Sequence, residues 1–79
     1  MLLNLKTYAK QLIEIEIHQK DTMRRIKQLV YQESGIPCSR QRLFWRGHGI
    51  YNMKMRAKDI GLTEGSILHL VVFFKSHSI

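Results

Sequence analysis

One cysteine and four histidines are the first residues of this sequence to test for chemistry. Cys38 could serve as a nucleophile with His18, His48, His69 or His77 as its base, yet no local motif joins the thiol to any of them. A thiol directly after Pro37 is expected at the surface. The histidines are widely spaced and lack both the paired-ligand separation and the companion cysteines of a zinc site, so neither metal nor cofactor is expected. Gly47-His48-Gly49 could open a phosphate cradle, but such a loop needs a helix behind it, and Ile50 follows instead. No catalytic residue emerges, and the chain reads as a non-enzyme.

Residues 40–46, "RQRLFWR", interleave arginines with two aromatics in the manner of a surface that stacks bases. Thirteen Lys and Arg against six Asp and Glu give a net charge of +7, which suits acidic partners. A small basic nucleic-acid-binding domain is therefore the rival to a protein-binding one. Against it, Trp45 has the inward phase of its strand and is expected in the core, which leaves Phe44 alone outside.

The elements that must position these residues follow from period and punctuation. "MLLNLKT" and "LIEIEI" alternate with period two, so Leu3 and Leu5, then Ile13, Ile15 and Ile17, each share one face of a strand. Two strands this close are expected to form a hairpin, although the connection "YAKQ" holds no Gly or Asn and turn chemistry lends it no support. Asp21 or Thr22 can cap a helix in which Met23, Ile26 and Val30 form the apolar stripe. Gly35 suits a left-handed cap, and Pro37 prevents the helix from resuming. "RLFWR" is a third strand, Ile50 begins a short fourth, and 51–59 are a loop or a single helical turn. Gly61 and Gly65 provide turns before a last strand in which the apolar run 67–74 is broken only by His69.

Seventy-nine residues make one small domain with one modest core. Apolar content of 44% with 24% charged residues is that of a folded chain. No stretch reaches the roughly 18 apolar residues of a membrane span, and no secretory signal is visible. A lone cysteine adds an expectation of a reducing compartment, cytoplasmic or nuclear.

Placed on these elements, the sequence resembles ubiquitin, and more closely the Rub-type ubiquitin-like modifiers that are attached to cullins. The resemblance rests on "KT" at 6–7, "IEIEI" at 13–17, "DT" at 21–22, "RIK" at 25–27, "GIP" at 35–37, "QRL" at 41–43, Gly47 and "GSILHLV" at 65–71. A single inserted residue falls between Gly49 and Asp59. The resemblance implies an α+β, β-grasp fold: a mixed four- to five-stranded sheet with one helix across one face, the last strand lying centrally beside the first. The domain is expected over 1–75, with 76–79 as a short tail.

A continuous apolar strand alone fits burial on both faces, but one helix can cover only one of them. Leu68, Leu70 and Val72 are expected under the helix, and Ile67, His69, Val71 and Phe73 on the open face. By resemblance, the protein-binding surface comprises Tyr8, Phe44, His69 and Val71, with Arg42, Gly47, His48 and Phe73 around them. Arg40, Arg42 and Arg46 would rim it and favour acidic helices. The implied partners are ubiquitin-receptor helices, proteasome subunits or cullin-ligase components, met by a monomer or one domain of a larger protein.

Members of this family that are conjugated end in Gly-Gly, whereas "FFKSHSI" contains no glycine, so the sequence as it stands is expected not to be conjugated. The alternative is a conjugatable modifier seen without its tail. Lys10 replaces a turn glycine of the family and Ile60 a buried tyrosine, and both departures predict a less stable domain.

Overall fold

The computed structural model describes residues 1–74. Its chain order is β1 (Leu2–Thr7), β2 (Leu12–Glu16), α1 (Met23–Ser34), a 3₁₀ turn at Cys38–Arg40, β3 (Gln41–Trp45), β4 (His48–Ile50), α2 (Ala57–Ile60) and β5 (Ile67–Val72). The strands form one mixed sheet in the order β2-β1-β5-β3-β4, with β5 parallel to β1 and antiparallel to β3. This is the β-grasp arrangement. Residues 75–79, which include His77 and the tail, lie outside the described residues.

The hairpin forms although its turn lacks glycine. Leu3 pairs with Ile15 and Leu5 with Ile13, so the register puts the four large side chains on one face, and a slip of one residue would expose them all. Packing therefore overrides turn propensity. Lys10 is held at φ 61°, which costs a residue with a Cβ roughly 1 kcal/mol. Thr7 helps to hold the turn: its hydroxyl accepts from the Gln11 amide at 3.2 Å, and its carbonyl accepts from the Lys10 amide at 3.1 Å.

α1 begins where the Thr22 hydroxyl accepts from the Arg25 amide, and it ends at Gly35, whose φ of 77° is the left-handed cap expected there. Met23, Ile26 and Val30 are buried against the inward residues of the strands. The charge on α1 opposes its dipole. Arg24 and Arg25 lie in the first turn and Glu33 in the last, each working against the helix field by roughly 0.3–1 kcal/mol.

Alternation along β5 is as expected. Leu68 and Leu70 are fully buried under α1, while Ile67 is 47% exposed and His69 lies in solvent on the other side. Trp45 packs against the core, short of the full burial expected of a core residue. It is only half-buried at the margin of the core, and the Arg46 guanidinium lies 4.9 Å from its ring centroid. Ile60 packs half-buried against the core.

Candidate functional site

The open face is set by register. His69 on β5 stands directly opposite Lys6 of β1 on one side and Phe44 of β3 on the other, and Val71 stands opposite Arg42. These outward residues have no second layer over them among the described residues, because α1 covers the opposite face.

They line a groove of about 810 Å³ whose walls are Tyr8, Phe44, Gly47, His69 and Val71, together with Lys6, Thr7, Lys10 and Leu70. Phe44 and Val71 form a half-buried apolar floor, and Tyr8, 88% exposed, stands at the rim with its ring in solvent. Burying such large side chains against a partner would contribute roughly 1.5–3 kcal/mol each before ordering costs. Every charged wall residue is basic or a histidine, and no carboxylate lines the groove. With its apolar floor, this field favours an amphipathic visitor whose flanks are acidic.

Five of the eight residues expected to form the surface are thus brought together, and three are not. His48 is exposed on the edge strand β4 and is not among the residues that line this groove. Arg42 and Phe73 turn instead toward a second, smaller hollow of about 200 Å³, which Lys27, Cys38, Ser39, Gln41, Ile50, Tyr51 and Met53 complete. The Arg42 guanidinium lies 4.5 Å from the Phe73 ring centroid, a cation–π contact that covers the ring. The physical reason is that β5 ends at Val72, so the alternation that would aim Phe73 outward no longer governs it. Arg40 is drawn off in the same way, lying over the Phe74 ring at 5.2 Å.

Lys6 and Lys10 are wall residues that the sequence reading did not select. The signal for Lys6 was present in its outward phase next to Leu5. Lys10 enters only through the geometry of the turn.

In the smaller hollow, burial of the Lys27 side chain holds its ammonium below the ordinary lysine value; the nearby Cys38 opposes the shift and Arg42 adds to it. Cys38 is half-buried. Among the described residues no three His, Cys, Asp or Glu side chains gather in a way that could hold a metal ion. Among the described residues no helix is long and apolar enough to cross a membrane.

A model of the Ubiquitin family matches residues 3–74. The sequence is 38% identical to "Ubiquitin-like protein 1" of Schizosaccharomyces pombe, over 99% of each chain. It is 40% identical to "Ubiquitin-like protein NEDD8" of Dictyostelium discoideum and 38% identical to "NEDD8-like protein RUB1" of Saccharomyces cerevisiae, in both cases over 91% of this chain and 92% of the relative.

Proposed function

Because the chain belongs to the ubiquitin family, as a ubiquitin-like domain related to the NEDD8 and Rub modifiers, we propose that it is a non-enzymatic protein-interaction domain of the ubiquitin pathway. Its open face receives the apolar side of a helix from a ubiquitin receptor, a proteasome subunit or a cullin-ligase component, in the cytoplasm or nucleus. The observation that carries this reading is the uncovered groove floored by Phe44 and Val71 and walled by Lys6, Lys10 and His69. An apolar surface rimmed by cations is suited to an amphipathic helix with acidic flanks.

The test is Phe44→Ala, followed by amide shifts against a panel of such receptor helices. Weaker binding, with shifts confined to β1, β3 and β5 in the parent, supports the reading. Unchanged binding removes the groove from it. A second reading, that the protein is itself conjugated, is favoured by the relatives' names as NEDD8-like and RUB-like proteins. Incubation of the full gene product with activating enzyme and ATP separates the two, because only a conjugated modifier forms a thioester.

A further inference from the structure

The residues that precede and open α1 run beside those that lead into α2. Backbone hydrogen bonds join Met23 to Met55 at 2.8 Å, Arg24 to Met53 at 3.1 Å, Asp21 to Ala57 at 2.9 Å and Gln19 to Lys58 at 3.0 Å, with an antiparallel bridge between Thr22 and Arg56. This pairing draws five exposed cations, Lys20, Arg24, Lys54, Arg56 and Lys58, into one seam.

None of the five has an ion-pair partner among the described residues, where the one salt bridge joins Met1 to Glu16. The seam's two carboxylates are engaged by backbone: Asp21 accepts from the His18 amide at 2.8 Å and Asp59 from the Arg56 amide at 3.0 Å. Arg24 also sits at the positive end of the α1 dipole, where a cation is disfavoured. A run of like charge set against the helix field is a local conflict of the kind that marks a functional surface.

We propose that this seam binds an acidic peptide segment of a partner protein, as a second contact separate from the open face. Carboxylates suit it better than nucleic acid for two reasons. The first-turn amides of α1 are already used, Met23 and Arg24 by carbonyls and Arg25 by the Thr22 hydroxyl, so no backbone nest is left for a phosphate. No aromatic side chain stands among residues 19–25 or 53–58, so unpaired bases have nothing to stack on. What remains is a net positive seam, five ammonium and guanidinium groups against the two backbone-bonded carboxylates Asp21 and Asp59, and guanidinium pairs with carboxylate through two parallel hydrogen bonds.

The experiment titrates the labelled full chain with decaglutamate and, separately, with a short DNA duplex and with vesicles containing an anionic lipid, at physiological salt. Saturable amide shifts at 20–25 and 53–58 are expected with the peptide, leaving His69 and Val71 unmoved, and binding weaker with duplex and vesicle. R24E/R56E/K58E should weaken peptide binding by roughly tenfold or more, and K6E/K10E on the open face should leave it unchanged. The uncharged R24Q/R56Q/K58Q should lose the binding too and serves if charge reversal disturbs the fold. Shifts spread equally over Lys6 and Lys10, no response to either seam variant, or tighter binding of duplex or vesicle would each overturn the proposal. Phe44→Ala acts on the open face alone, so failure there and failure here are read separately.

Discussion

Gln41 holds α1 to the strand that carries Phe44: its Nε2 donates to the Lys27 carbonyl at 3.1 Å and to the Ile36 carbonyl at 2.9 Å. The side chain is 1% exposed, and its Oε1 accepts from nothing among the described residues. One amide thus ties the middle of the helix and the chain leaving it to the first residue of β3.

Replacing Gln41 by Leu removes both donors and leaves two carbonyls short of a partner, while relieving the unpaired Oε1. The loss of two partners outweighs the relief, and a net destabilisation of about 1–3 kcal/mol is expected in urea unfolding. An equal or higher midpoint would show that the tie does not stabilise the fold.

Lys10→Gly should stabilise the domain by roughly 1 kcal/mol, since glycine meets no Cβ clash at the φ of 61° found there. Arg46 has φ 51°, but Arg46→Gly should gain less, because it also loses the contact over Trp45. Urea midpoints of the two variants rank the effects, and the reverse order would refute the argument.

Gly49 tests a different constraint. A Cβ built on it would fall 2.5 Å from the Tyr51 ring, yet that ring is 69% exposed and free to swing aside. Gly49→Ala should therefore cost less than about 1 kcal/mol, and adding Tyr51→Ala should recover most of the loss. A large cost that survives removal of the ring would place the obstacle in the backbone.

Two groups make stability depend on pH with opposite signs. The Met1 ammonium is hydrogen-bonded to Glu16, which raises its pKa above the ordinary 8.0; its contribution is fully present below 8.0 and lost as pH climbs through the raised value. Lys27, depressed below 10.5 by burial, does the reverse: the unfolded chain holds the proton longer, so stability grows as pH passes from the depressed value toward 10.5. Unfolding midpoints between these limits should lose the falling component in Glu16→Gln and the rising one in Lys27→Met. Identical pH profiles for parent and variants would disprove both assignments.

Much of this was legible in the sequence wherever local chemistry and global packing agree. Thr22, Gly35 and the stripe of Met23, Ile26 and Val30 specify α1 by themselves, and period two along β5 separates Leu68 and Leu70 from Ile67 and His69. The hairpin turn was not legible, because Lys10 takes a conformation imposed by the pairing of strands on either side rather than by its own preference. The groove was legible where residues lie within strands, as Phe44, His69 and Val71 do. It failed at Phe73, one residue past the strand end, where a side chain answers to its neighbour Arg42 instead of to the pleat.

The central place of β5 has a consequence for biosynthesis. As the chain leaves the ribosome, β1–β2 and β3–β4 emerge as separate ribbons whose inner edges stay unpaired until residues 67–72 arrive to zip them together. The nascent polypeptide must wait for β5, the last strand among the described residues, before Leu68 and Leu70 can seal the interior, and chaperones have that interval in which to act.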